Sequence, residues 1–157
     1  MNPDPDANTN FLVTYLILLG VLLVLSAFFS LSETAYTSSN LIKLENQAKK
    51  SKSARAALYI TNNYDRFLST ILIGNNLVNI TATALATVLF VKYYGDNLGP
   101  TLATIVLTIV VLIFGEVSPK SLARERAESI AKASVYLLYF FYYLFYKNFI
   151  IVRRFLQ

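Results

Sequence analysis

Polar and apolar positions alternate along this chain in long blocks. Four apolar stretches stand out: 11–31 (FLVTYLILLGVLLVLSAFFSL), 67–91 (FLSTILIGNNLVNITATALATVLFV), 98–115 (LGPTLATIVLTIVVLIFG) and 134–152 (SVYLLYFFYYLFYKNFIIV). A membrane-crossing helix needs about 20 mostly apolar residues. The first two stretches reach that length, and the third does so by extending a turn at each end. The pattern predicts an all-α integral membrane fold with three transmembrane helices, over about 11–36, 64–91 and 98–119. Asn62 or Asn63 caps the second, with Asp65 in its first turn. Gly95 and Asn97 make a turn, and Gly99-Pro100 starts the third.

Two segments fall outside that pattern. Residues 38–62 are polar and helix-prone, with a weak apolar face of Leu41, Leu44, Ala48, Ala54, Ala57 and Leu58. They read as a helical hairpin arm or as a continuation of the first helix. The fourth apolar stretch is crowded with aromatics. Tyr139, Tyr142, Tyr143 and Tyr146 fall at helical spacing on one face, with Leu137, Phe141, Leu144 and Phe145 on another. Tyrosine favours the headgroup level, where its ring is dry and its hydroxyl wet. Residues 127–152 are therefore expected to form a juxtamembrane helix lying at the inner interface. The alternative is a fourth span.

Charge gives an orientation. Residues 1–10 carry no Lys or Arg, whereas 38–66 hold Lys43, Lys49, Lys50, Lys52, Arg55 and Arg66, and 120–132 hold Lys120, Arg124, Arg126 and Lys132. The positive-inside rule then places the N-terminus outside, on a multi-pass protein of the cell membrane. Residues 1–9 read as an extracytoplasmic tail and 10–157 as one membrane domain. Their acidic start does not suit a cleavable signal peptide.

Composition narrows the chemistry. The 157 residues are 55% hydrophobic and 15% charged, with a net charge of +5. The basic residues cluster between apolar runs, which suits a bilayer surface and not nucleic acid. There is no cysteine and no histidine, so thiolate and imidazole chemistry are excluded. Any metal must be held by oxygen, which favours hard cations. No nucleophile or catalytic constellation is legible, and an enzyme is not expected.

Polar residues inside apolar spans carry the functional signal, because ionisable groups there cost about 2.5–3.5 kcal/mol each on insertion scales. Two acids qualify, Glu33 in SLSET and Glu116 in FGEVSP, accompanied by Ser30, Ser32, Asn75, Asn76 and Asn79. At 1.5 Å per residue these groups fall at a similar depth, somewhat inside the midplane. Asn75 and Asn79 share a helix face, as do Ser30 and Glu33. Pro119 lacks an N–H, so the carbonyl four residues back, at Gly115, loses its helical donor. A bare carbonyl is expensive in lipid and useful beside a cation. Taken singly, each residue has a plainer reading: helix–helix glue for the serines and asparagines, snorkelling for Glu33, a helix stop for Pro119, interface anchors for Lys120, Arg124 and Arg126.

The stretches SLSETA (30–35), GNNLVN (74–79) and FGEVSPKSLA (114–123) resemble the three signature stretches of the CorC/cyclin-M (CNNM) membrane domain, over about residue 10 to 157. The resemblance implies a homodimer with three spans and a belt helix, engaged in Mg²⁺ transport. It implies an ion site on Ser30, Ser32, Asn75, Asn76 and Gly115, flanked by Glu33, Asn79, Glu116 and Pro119. It also implies nucleotide-binding CBS modules and a C-terminal domain, which this chain lacks, so a lone membrane domain or a piece of a longer protein is expected. The leading expectation is an Mg²⁺ exporter driven by Na⁺ exchange. The alternative is a non-transporting Mg²⁺-sensing anchor for cytoplasmic modules, favoured by the lack of an obvious polar path to the outer face.

Overall fold

A computed structural model describes the backbone of residues 5–155 and the side chains of 8–145. Among the described residues the chain is helical and contains no strand: α1 (Pro5–Ser38), α2 (Leu41–Ala48), α3 (Lys52–Asn62), α4 (Tyr64–Val110), a π-helical turn (Val111–Val117), α5 (Ser118–Glu125) and α6 (Ala127–Phe155). Helix α1 already begins at Pro5, which loses nothing in a first turn where N–H groups have no partner. Residues 5–9 of the stretch read as a tail are therefore helical.

Two helical stretches are long and apolar enough to cross a bilayer, Asn8–Ser38 and Tyr64–Glu125. The second has 62 residues, about 93 Å at 1.5 Å per residue and far more than one crossing needs. It is two arms joined at Gly95, whose φ of 76° and ψ of 172° are open to glycine at little cost. The arms touch beyond the bend: a Cβ at Gly99 would lie 2.6 Å from the Val91 Cα. The turn thus falls at Gly95, as expected, while Asn97 and Pro100 lie within the returning helix.

Contacts fix the register of α1 against the first arm of α4. At one end the Lys92 Nζ sits 3.5 Å above the Phe11 ring. At the other, the Tyr64 hydroxyl donates to the Glu33 carbonyl at 3.5 Å. The two segments are therefore antiparallel, and the arms of α4 pack beside α1.

The core gathers at the basic end. Helices α2 and α3 form a hairpin capped by Asn40 and Ser51, whose side chains accept from the Lys43 and Ala54 N–H groups. The hairpin buries Leu44, Ala48, Ala54, Ala57 and Ile60, while Leu41 is exposed. Helix α6 closes the bundle. Its Ala127, Ala131, Val135 and Leu138 are buried, and Tyr36 of α1 donates to the Ala131 carbonyl at 2.8 Å. Phe29 and Phe67 pack against Phe141 and Tyr142, with ring centroids 4.9 and 4.6 Å apart.

The faces of α6 differ from the split between a tyrosine face and a leucine and phenylalanine face read from the sequence. Phe141 and Tyr142 face the core, whereas Leu137, Tyr143 and Leu144 are exposed. Ala127 and Ala131 share the buried stripe with Ser134, Val135 and Leu138, and their small side chains leave room for the Tyr36 hydroxyl to reach the Ala131 carbonyl. The Tyr146 side chain lies outside the described residues.

Candidate functional site

Polar groups from α1 and α4 meet midway between the Lys92–Phe11 and Tyr64–Glu33 contacts. The Ser26 Oγ lies 2.9 Å from the Asn79 Oδ1 and 3.2 Å from the Asn75 Oδ1. Asn75 and Asn79 are four residues apart, so both amides face α1 from one stripe. Ser26 is buried and both asparagines are half-buried. A hydroxyl has one proton to donate. It serves one amide oxygen and leaves the other without a donor from this hydroxyl.

The third wall is the π-turn. Gly115 is its buried residue, and a Cβ there would lie 3.0 Å from the Ser26 Oγ. Only glycine lets this backbone approach the hydroxyl undisturbed. Inside the wide turn the Ser118 N–H reaches back five residues to the Ile113 carbonyl. Pro119 has no N–H, so it strands an acceptor at Phe114 in the π register or at Gly115 in the α register. The sequence located this break but not the widening that accompanies it.

Ser30 lies one turn beyond Ser26 on the same face. The Ser30 and Ser32 hydroxyls are both buried and have no hydrogen-bond partner. This is unusual within the chain, because Thr61, Thr81, Thr83, Thr87 and Thr104 all donate to the carbonyl four residues back. An orphaned buried hydroxyl costs about 1–3 kcal/mol. Two residues correspond to about 200° around a helix, so Ser30 and Ser32 point to different sides of α1.

The remaining predicted residues are placed as follows. Asn76, within α4, is exposed. Glu33 is half-buried, and its Oε2 lies 3.5 Å from the Lys120 Nζ. Glu116 is half-buried and lines a groove of about 350 Å³ together with Asn79, Thr83, Thr104 and Thr108. Pro119 is buried at the start of α5. Gly74 is pressed against the Phe29 ring. From Ser26 towards the Phe11 end of α1 lies a second cavity of about 290 Å³, lined by Leu19, Leu23, Ala86, Phe90 and Val110 among others. Asn79 borders both spaces.

Ser26 was not singled out from the sequence, although it shares the Ser30 face one turn earlier. Among the described residues no three Asp, Glu, His or Cys side chains come together. The constellation is one of neutral oxygens with two carboxylates nearby, a donor set suited to a hard cation.

The sequence matches the cyclin M transmembrane N-terminal domain over residues 16–157. It is 45% identical over 115 residues to the UPF0053 inner membrane protein YfjD of Escherichia coli, covering 73% of this chain and 27% of that protein. It is 44% identical over 128 residues to a UPF0053 protein of Haemophilus influenzae, covering 81% and 30%. A chloroplastic DUF21 domain-containing protein of Arabidopsis thaliana is 40% identical over 119 residues, 76% of this chain and 18% of its own length. The chain thus spans less than a third of these relatives.

Proposed function

The chain belongs to the cyclin M transmembrane N-terminal domain family, a family of membrane-embedded proteins, and from that premise we propose that it exports Mg²⁺ in exchange for Na⁺. The observation that carries this reading is the pairing of the Ser26–Asn75–Asn79 cluster with the orphaned, buried Ser30 hydroxyl on the same face of α1. Mg²⁺ takes about six oxygens and gives up its water reluctantly. Serine hydroxyls, amide oxygens and the carbonyls stranded around Gly115 replace part of that shell. Ser32 joins them where α1 rotates or unwinds, since a regular helix turns it away.

The full proposed ligand set is Ser30, Ser32, Asn75, Asn76 and Gly115, to which the geometry adds Ser26. Glu33, Asn79, Glu116 and Pro119 flank the ion. The Glu33–Lys120 pair stands at the inner end and supplies charge without direct ligation. Helix α1 and the two arms of α4 make three crossings, with the N-terminus outside and α6 along the inner interface. A homodimer follows the same reading. Asn76 faces away from Ser26, exposed beside Leu72 and Ile80; it joins the ligand set only where the first arm of α4 rotates, and until then a second copy shields it from lipid.

Mg²⁺ flux from proteoliposomes, with and without an opposing Na⁺ gradient, tests the proposal. Export that requires external Na⁺ and is lost in Asn75→Ala and Asn76→Ala supports it. Full transport by both variants refutes the site, and gradient-independent flux refutes exchange. The apolar cavity outward of Ser26 favours a second reading, a non-transporting Mg²⁺ sensor. Its signature is Mg²⁺ binding without flux in either direction.

A further inference from the structure

An ion held near Ser26 and Asn79 faces two routes outward, and they differ in chemistry. The cavity on the α1 side is walled by leucine, alanine, valine and phenylalanine, with Ser26 and Asn79 as its polar residues. It offers no substitute for water. The groove on the α4 side, between the two arms, also includes Leu107, Val111 and Leu112, but it offers oxygens at successive levels.

Its base is Glu116. Above it come Asn79 and Thr108, then Thr83 and Thr104. On the first arm Asn79, Thr83 and Thr87 recur every four residues; on the second Thr101, Thr104 and Thr108 recur at three and four. Both series keep to one helix face and climb about 4.5–6 Å per step towards Gly95.

Hydrogen bonding suits these hydroxyls to a cation. Thr83 donates to the Asn79 carbonyl at 2.9 Å, Thr87 to the Thr83 carbonyl at 2.8 Å, and Thr104 to the Pro100 carbonyl at 2.9 Å. Each proton is committed to the helix, so the oxygen turns its lone pairs outward. A half-buried carboxylate at the base is costly against hydrocarbon and draws water into the groove.

We propose that this threonine-lined groove between the two arms of α4 is the outward leg of the cation path, with Asn79 as its gate and a partly hydrated divalent cation as its occupant. The inference rests on the reading of the neighbouring cluster as a cation site. It also gives the ion a polar route away from the cluster that avoids the apolar cavity.

The test is Mg²⁺ flux in proteoliposomes beside Mg²⁺ affinity by calorimetry, for a Thr83→Val, Thr104→Val, Thr108→Val triple variant. Valine keeps the shape and removes the oxygen. The expected result is affinity within about twofold of wild type and flux down about tenfold, equivalent to roughly 1.4 kcal/mol of added barrier. The matching Thr→Ser triple should retain flux. Thr81→Val, whose hydroxyl bonds the Leu77 carbonyl outside the groove, should change nothing. Should the triple variant fail to fold, Thr104→Val alone is read in the same assays and should slow flux without altering affinity. Unchanged flux in the valine variants overturns the proposal and leaves the cation site standing. An affinity loss that matches the flux loss overturns it too, by making these threonines ligands. A wild type with neither binding nor flux overturns the cation reading itself.

Discussion

Ser26→Ala separates an ion site from helix glue, because the two roles predict different sizes of effect. The variant removes a buried hydroxyl that sits 2.9 and 3.2 Å from two amide oxygens. As glue, that hydroxyl is worth about 0.6 kcal/mol and at most about 1.7 between membrane helices. For a chain of this size, 1 kcal/mol moves Tm by about 2–4 °C, so the metal-free Tm should fall by no more than about 7 °C. As part of an ion site, the same hydroxyl also sets affinity. Loss of a group that ligates or orients a ligand weakens metal binding about 10–100-fold. At an Mg²⁺ concentration 100 times the wild-type Kd, binding stabilises wild type by about 2.7 kcal/mol. The same concentration stabilises the variant by about 1.4 kcal/mol after a tenfold loss, or about 0.4 after a hundredfold loss. The Mg²⁺-induced Tm shift should therefore shrink from about 5–11 °C to about 1–6 °C. Thermal unfolding in detergent across an Mg²⁺ titration reads both quantities. A lower metal-free Tm with an undiminished Mg²⁺ shift would show that Ser26 only holds α1 to α4.

Three further outcomes follow from the packing. Gly95→Ala should destabilise the fold by about 1–3 kcal/mol, since φ 76° with ψ 172° is essentially a glycine conformation; an unchanged Tm would refute the tight reversal of α4. Gly74→Ala should cost about 1–3 kcal/mol by pushing its methyl into the buried Phe29 ring, whereas Gly20→Ala, with nothing within 4 Å, should be neutral or stabilising; equal effects on thermal unfolding would contradict the close approach of α1 and α4. The Glu128 carboxylate is held below the usual range, first by its own backbone N–H and then by the Asn40 N–H and Lys43. Its contribution is present above the unfolded-state pKa of about 4.3 and disappears as pH falls through the lower folded value. Wild type should therefore lose stability below about pH 4 relative to Glu128→Gln, and parallel Tm-versus-pH curves would remove that role.

Much of this architecture is legible in the apolar runs. Their lengths mark α1 and both arms of α4, Gly95 marks the bend, and Asp65 marks the first turn after Asn63. The polar residues inside those runs also lead to one region, because Asn75, Asn79 and Gly115 converge there around Ser26. What the sequence withholds is rotation about each helix axis. Asn75 and Asn76 are equivalent as letters, yet 100° of helix turn sends one to Ser26 and the other outward. Ser26 sits in LVLSAFF, where a lone serine in an apolar run reads as solvent-neutral filler; only contact with α4 distinguishes it. The π-turn depends on how α1 and α5 constrain the chain around Gly115 and Pro119, and no local pattern encodes that. The buried face of α6 likewise runs through Ala127, Ala131, Val135 and Leu138, a stripe that the aromatic-rich sequence obscures.

The central claim is that oxygens from α1, α4 and the π-turn enclose a divalent cation, and the direct measurement is anomalous scattering from crystals of the protein grown with Mn²⁺ in place of Mg²⁺. The account predicts one strong peak beside the Ser26, Ser30 and Asn75 oxygens and the carbonyls near Gly115, at the roughly 2.1 Å separations expected of a small hard cation. A peak confined to the exposed carboxylates, or none while those side chains remain bonded to one another, would contradict it.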